Sequence, residues 1–140
     1  MSGAIAHGDS ILAALAAGAD LAYVGSAFIA TEEANADPAY KEMIVDSGAS
    51  DIVYSNLFTG VHGNYLRGSI VAAGLDPDNL AESDPSAMSF ATNDTDTKAW
   101  RDIWGAGQGI GAIDAVLPTH AVVERLAAEY SAARERICRL

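Results

Sequence analysis

The chain has 140 residues, half of them hydrophobic, and a formal net charge of −11. This length is sufficient for one domain with a hydrophobic core, and the hydrophobic fraction excludes a disordered chain. The acidic charge balance argues against nucleic acid or an anionic membrane as a partner, because both require a basic surface.

The sequence also excludes a protein with a membrane-spanning helix and a protein stabilised by disulfides. No stretch approaches the roughly 20 consecutive apolar residues of a spanning helix, and the N-terminus lacks the pattern of a signal peptide. We therefore expect a cytoplasmic protein. Cys138 is the only cysteine, which excludes an intramolecular disulfide and a cysteine-rich metal site, and its charged surroundings predict a surface thiol.

The first predicted elements are a helix and a strand. Residues 9–17 are rich in alanine, leucine and isoleucine and predict a helix, with Asp9 as its N-cap and Gly18 at its end. The apolar run from Leu21 to Val24 follows without alternation, which predicts a strand buried on both faces of a parallel sheet.

Two turns of small residues flank this unit. Residues 2–9 lead into the helix, and Gly25 and Ser26 directly follow the strand. Glycine lets backbone approach an anion closely, and the free N–H groups of a following helical turn attract negative charge. The loops after strands 7 and 8 of a (β/α)₈ barrel often bind phosphate in this way. A tight turn without a ligand is the alternative for Gly25 and Ser26.

A complete barrel needs roughly 250 residues, so we expect a C-terminal portion whose first strands are missing. Residues 31–37 are acidic and compatible with a helix. Three more elements are predicted before residue 75: a helix from Pro38 to Asp46, a short extended piece from Asp51 to Asn56, and a helix from Tyr65 to Ala73 that Gly74 ends.

The last third of the chain contains a polar segment, a glycine-rich segment and a helix. Leu75 to Thr97 predicts an irregular surface loop. Gly105 to Gly111 does not match the GxGxxG spacing, so it is either a plain turn or a loop that touches a flavin or closes over the site, with Gln108 able to hydrogen-bond a cofactor. Residues 119–138 predict a closing amphipathic helix with Thr119 as its N-cap. Its apolar positions are Val122, Val123, Leu126, Tyr130, Ala133 and Ile137.

The three histidines do not form a recognisable centre. His7, His62 and His120 are far apart, and none has a neighbour at metal-ligand spacing. We expect His7 to shape its loop and His120 to lie on the surface, while His62 lies in a glycine-containing turn. No metal site and no Ser/His/Asp or Cys/His arrangement is predicted.

Three segments resemble the nitronate monooxygenases, formerly called 2-nitropropane dioxygenases. They are Ser2 to Gly8 (Ser-Gly-Ala-Ile-Ala-x-Gly), Gly18 to Glu33 (Gly-Ala-Asp, then Gly-Ser-x-Phe-x-Ala-Thr-Glu-Glu) and Ala106 to Gly111 (Ala-Gly-Gln-Gly-Ile-Gly). The resemblance implies an α/β fold, the last βα units of an FMN-binding TIM barrel followed by mainly helical segments. It implies terminal barrel units in residues 1–35 and a helical extension in residues 36–140, with a polar loop at 75–97 and the closing helix at 119–138.

The resemblance also implies a site for the FMN phosphate, held by backbone groups of two turns. The residues at the matching positions are Gly3, Ala4, Tyr23, Val24, Gly25 and Ser26. Family members often have glycine where Ala4 stands, and a backbone donor there tolerates alanine if its φ is negative. Ser26 keeps the hydroxyl of the threonine that many members have.

The implied reaction is the oxidation of an alkyl nitronate by FMN and O₂ to a carbonyl compound and nitrite. The family's catalytic histidine falls in the missing N-terminal part, so we expect no catalytic residue in this chain and no activity of the chain alone. An N-terminal barrel portion or a second copy of the chain would complete the barrel. The alternatives are another FMN barrel, similar to an enoyl reductase or to inosine-phosphate dehydrogenase, and a non-catalytic fragment that binds a phosphate-bearing ligand.

Overall fold

The computed structural model describes residues 1–83 and 101–139. It is an α/β arrangement of five helices, two strands and two 3₁₀ turns within these ranges. The helices are α1 (Gly8–Ala16), α2 (Ser26–Ile29), α3 (Pro38–Val45), α4 (Arg67–Ala72) and α5 (Thr119–Ile137), the strands are β1 (Ile52–Ser55) and β2 (Gly63–Leu66), and the 3₁₀ turns are Ala49–Asp51 and Gln108–Ala112.

The N-terminal end of α1 differs from the prediction. Its N-cap is His7, not Asp9. The Ser10 hydroxyl accepts from the amides of Ala6 (3.2 Å) and His7 (3.1 Å), which precede the helix, and the Glu129 carboxylate accepts from the amide of its first residue, Gly8 (2.8 Å). The Asp9 carboxylate instead forms an ion pair with Arg136 on α5.

Glycine ends α1 as predicted. Gly18 has φ +92°, its amide donates to the Leu15 carbonyl (3.0 Å), and the Ala19 amide donates to Ala14 (3.1 Å). These two bonds define a Schellman motif, which satisfies the last carbonyls of the helix. A left-handed residue is required here, and glycine adopts that conformation without a Cβ penalty.

The predicted buried strand at Leu21 to Val24 is wrong in its burial. Leu21 is 78% and Tyr23 73% exposed, and the segment is not part of a sheet. The amino group of Met1 donates to the Leu21 carbonyl (2.6 Å) and the Tyr23 amide donates to the Met1 carbonyl (2.8 Å), which is the bonding pattern of one parallel residue pair. Leu21 and Tyr23 are exposed because, among the described residues, no further strand lies beside them.

The middle of the chain forms an antiparallel hairpin. β1 pairs with β2 from Ile52 opposite Leu66 to Ser55 opposite Gly63, which confirms the extended piece. The helix predicted from Tyr65 begins only at Arg67, because Tyr65 and Leu66 belong to β2. Residues 31–37 form turns instead of a helix.

The closing helix α5 is confirmed, with a narrower buried face than predicted. Val122, Leu126 and Ala133 are buried, whereas Val123 is 51% and Ile137 56% exposed. The two exposed residues lie outside the stripe that meets the rest of the protein. Cys138 is exposed after the helix, as predicted.

The N-cap of α5 is Pro118, and Thr119 is its first helical residue, so the predicted cap is wrong. The Glu33 carboxylate takes the capping role and accepts from the Thr119 amide and hydroxyl (2.8 Å each).

One core joins the first and last parts of the chain. α1 and α5 pack closely at Gly8, where an added Cβ would lie 2.0 Å from the Tyr130 amide nitrogen. The core comprises buried residues from α2, α3, β2, the second 3₁₀ turn and α5. They include Ala27, Ala30, Ile44, Leu66, Ile110, Val122 and Leu126.

Residues 75–83 of the predicted polar loop form turns without a helix, and residues 84–97 lie outside the described ranges. None of the helices in the described ranges has the length and apolar character that crossing a bilayer demands.

Candidate functional site

A pocket of about 230 Å³ lies where the two small-residue turns meet. Five of the six residues predicted to hold a phosphate line it: Gly3, Ala4, Tyr23, Gly25 and Ser26. Val24 does not line the pocket, because its side chain packs against the core. The fold therefore brings together two turns that are more than 20 residues apart in the sequence.

The first turn contains two consecutive residues in the left-handed region, Gly3 (φ +95°) and Ala4 (φ +49°). The condition under which alanine is tolerated there, a negative φ, is therefore not met. A left-handed conformation costs a residue with a Cβ roughly 1–2 kcal/mol, so the turn holds Ala4 in a strained geometry. A Cβ built on Gly3 meets nothing within 4 Å, which leaves open space above its backbone.

The second turn presents backbone donors. Within the described ranges, the amides of Gly25, Ser26 and Ala27 donate to no protein acceptor, because they begin a helical turn. Of the described residues that line the pocket, none carries a charged side chain, although the whole chain carries a net charge of −11. An anion there would meet N–H groups and a hydroxyl without a neighbouring carboxylate.

The glycine-rich segment, Gly105 to Gly111, forms a third wall of the pocket beside the two turns. The sequence alone did not decide whether this segment is a plain turn or part of the site. The Gly107 amide donates to the Ser26 hydroxyl oxygen (2.8 Å). A Cβ on Gly109 would lie 2.9 Å from the Ala6 Cβ and 3.1 Å from the Ala4 carbonyl oxygen, so only glycine permits this close approach. The alternating glycines were the sequence signal for this wall. The residues that Gly107 and Gly109 contact could not be predicted from the spacing of the glycines.

Backbone pairing holds the start of the glycine-rich segment. The Leu66 amide donates to the Trp104 carbonyl (2.8 Å) and the Ala106 amide donates to the Asn64 carbonyl (3.2 Å), so residues 104–106 add an antiparallel extension to β2. This pairing is a single bridge, with Gly105 opposite Tyr65. The Arg125 guanidinium holds the other end by donating to the Ala112 carbonyl (3.1 Å).

Aromatic packing supports the same segment. The Tyr40 and Trp104 rings stack with centroids 5.1 Å apart and an interplanar angle of 15°. The Tyr40 hydroxyl donates to the Gly105 carbonyl, and burial raises the pKa of this phenol. The hydroxyl therefore stays protonated at neutral pH and remains a donor.

None of the three histidines lines the pocket. His7 and His120 are exposed, and His62 stacks on Tyr54 with ring centroids 4.8 Å apart. The part of the chain that the structure describes holds no group of three or more His, Cys, Asp or Glu side chains that could bind a metal. The exposed Gln108 is the one side chain of the glycine-rich segment with hydrogen-bonding atoms.

A larger pocket of about 760 Å³ lies beside Trp104 and is lined mainly by apolar side chains such as Met43, Phe58 and Ile103. Its carboxylate, Asp102, would repel an anion. The smaller pocket is therefore the better candidate for a phosphate-bearing ligand.

Comparison with known proteins gives a consistent picture. Residues 1–129 match the family described as nitronate monooxygenase. A Mycobacterium tuberculosis protein named "Putative monooxygenase Rv1533" is 31% identical over 92% of this chain and 38% of its own length.

Among solved structures, the nitroalkane oxidase of Streptomyces ansochromogenes has a TM-score of 0.67 and 30% identity, covering 96% of this chain and 40% of that one. FabK of Thermotoga maritima has a TM-score of 0.69 at 24% identity, covering 97% and 45%. The chain thus spans about two-fifths of the length of these relatives.

Proposed function

Because the chain belongs to the nitronate monooxygenase family, we propose that it is the C-terminal part of a flavin-dependent oxidoreductase barrel. Its own contribution is to hold the phosphate of FMN in the 230 Å³ pocket. The observation that carries this proposal is the convergence of Gly3, Ala4, Tyr23, Gly25 and Ser26 on one uncharged pocket with unpaired amides.

The donor set fits a phosphate monoester. Backbone amides and the Ser26 hydroxyl form charge-assisted hydrogen bonds to phosphate oxygens, which are roughly twice as strong as bonds between neutral groups. The open space above Gly3 leaves room for a phosphate to approach its backbone. Val24 would take part only through its backbone, since its side chain faces the core.

We propose that the whole protein oxidises an alkyl nitronate with O₂ to a carbonyl compound and nitrite. FMN, when bound, supplies the redox chemistry, and this chain positions the cofactor. No histidine lines the pocket, and we propose that the rest of the barrel supplies the base. The isolated chain is expected to bind flavin phosphate without turning over a nitronate.

The exposed apolar edge at Met1, Leu21 and Tyr23 supports the proposal that other barrel strands complete the sheet. An unpaired strand edge with apolar side chains is a site for further pairing. We propose that an N-terminal barrel portion supplies these strands, with residues 1–35 as terminal barrel units and residues 36–140 as the extension. A second copy of the chain is the competing occupant.

A phosphate clamp does not define the substrate, so another FMN-dependent barrel oxidoreductase remains the alternative reaction. Nitrite release by a protein that contains this chain and the rest of the barrel distinguishes the two, because only nitronate oxidation forms nitrite.

The experiment that tests the phosphate site is titration of the chain with FMN, followed by flavin absorbance and fluorescence. Gly25→Asp places a carboxylate among the unpaired amides and is expected to weaken FMN binding at least about tenfold. Gly25→Ala is the matched control, since its Cβ would lie 3.5 Å from the Tyr23 ring in ordinary contact. Equal FMN affinity of Gly25→Asp and the unsubstituted chain would reject the site.

A further inference from the structure

Ser26 lies between the pocket and the glycine-rich segment. Its hydroxyl oxygen accepts the Gly107 amide (2.8 Å), and the same residue lines the pocket. A serine hydroxyl has one donor hydrogen and two acceptor lone pairs. Within the described ranges, its hydrogen is donated to no protein acceptor, so it is available to a ligand in the pocket.

We propose that Ser26 is a positioning residue that couples phosphate binding to the order of residues 107–108. This inference rests on the proposed function, because it takes a phosphate oxygen as the acceptor of the Ser26 hydroxyl hydrogen. That bond fixes the rotation of the hydroxyl and keeps a lone pair directed at the Gly107 amide. Accepting one hydrogen bond also strengthens the one that the hydroxyl donates.

Residues 107–108 are the part of the segment that depends on this contact. Backbone pairing fixes Ala106, and the buried Ile110 anchors the 3₁₀ turn that begins at Gln108, with its amide donating to the Gly107 carbonyl (3.2 Å). The Gly107 amide has the Ser26 hydroxyl as its partner, and this is the side-chain hydrogen bond that holds the start of the turn. Glycine has a large backbone entropy, so this short stretch loses order easily without the bond.

The coupling is reciprocal. If bound phosphate favours the ordered conformation of residues 107–108 by a given factor, then that ordered conformation binds phosphate more tightly by the same factor. Ser26 would therefore contribute twice to cofactor affinity, once as a direct donor and once through the wall that it holds in place.

The test is amide hydrogen exchange of Gly107, measured by NMR with and without saturating FMN. In the unsubstituted chain, FMN is expected to slow exchange at Gly107 at least about fivefold. Ser26→Thr keeps the hydroxyl and should retain this protection. Ser26→Ala should bind FMN about tenfold more weakly and show no FMN-dependent protection at Gly107 when saturated.

The outcomes separate the two proposals. FMN binding without added protection at Gly107 in the unsubstituted chain overturns the coupling and leaves the phosphate site standing. Equal protection in Ser26→Ala overturns the role of Ser26. Failure of the folded chain to bind FMN overturns the phosphate site and the coupling with it. Circular dichroism checks the fold of each variant, and if Ser26→Ala is unfolded, the unsubstituted chain and Ser26→Thr still decide whether FMN protects Gly107.

Discussion

The helices α1 and α5 pack closely against each other, whereas Leu21 and Tyr23 in the apolar run from Leu21 to Val24 are exposed. Both regions are rich in hydrophobic residues, so composition does not distinguish them. The difference is that each helix has its partner within the described residues, while the extended segment pairs only with Met1. Hydrophobic patterning thus identifies a surface that can be buried, and the available partners decide whether it is.

The largest effect is expected from Gly8→Ala, which disrupts the packing of α1 against α5. The new Cβ would lie 2.0 Å from the Tyr130 amide nitrogen, so α1 and α5 would have to separate. Overpacking of this kind typically costs about 1–3 kcal/mol, which exceeds any gain in helix propensity at the first residue of α1. Urea unfolding followed by circular dichroism measures the loss in the free energy of unfolding.

Gly48→Ala is the matched control for that experiment. Gly48 has φ −120°, and its added Cβ would approach no atom closer than 3.9 Å. We expect its free energy of unfolding to change by less than about 0.5 kcal/mol. Equal losses in the two variants would contradict the close α1–α5 contact.

A smaller effect of opposite sign is expected beside the exposed segment. Ala4→Gly relieves the left-handed conformation of Ala4 and should raise the free energy of unfolding by about 0.5–1 kcal/mol, after the entropy cost of glycine is subtracted. Ala13→Gly in the middle of α1 is the control and should lower it by about 1 kcal/mol. Destabilisation by both substitutions would show that Ala4 is not strained in solution.

The smallest effect is expected at the Glu33 cap of α5. Hydrogen bonds from the Thr119 hydroxyl and amide hold the pKa of Glu33 below its ordinary value. Its carboxylate therefore contributes stability above the unfolded-state pKa, and this contribution disappears as the pH falls through the lower folded-state pKa. Glu33→Gln should lower the Tm slightly at neutral pH and have little effect once the pH is below the lowered folded-state pKa of Glu33.

Glu32→Gln is the control for that pH dependence, since it removes a neighbouring exposed carboxylate that is outside the cap. A Tm difference between Glu33→Gln and the unsubstituted chain that persists unchanged into acid would contradict the carboxylate cap.

Local signals predicted much of the fold. Gly18 ended α1, Pro38 opened α3 and the apolar spacing predicted α5, because each feature acts within a few residues. The predicted caps Asp9 and Thr119 were wrong because distant carboxylates meet the first amides of the two helices: Glu129 accepts from Gly8 and Glu33 accepts from Thr119. Tyr65 and Leu66 joined a strand because tertiary pairing overrode their helical pattern.

The candidate site was predictable only in part for the same reason. The motifs around Gly3 and Gly25 are continuous in the sequence, so the two turns were identifiable before the structure was known. Gly107 and Gly109 reach the pocket through contacts with Ser26 and Ala4, which are about 80 to 105 residues away in the chain. No local pattern specifies such an approach.

The central claim is that the pocket holds the phosphate of a flavin. The most direct measurement compares the Kd values of the chain for FMN and riboflavin, which share the isoalloxazine ring and ribityl chain but differ in the phosphate. The account predicts that FMN binds at least about tenfold more tightly, because only FMN engages the unpaired amides and the Ser26 hydroxyl. Equal Kd values for the two flavins would contradict it.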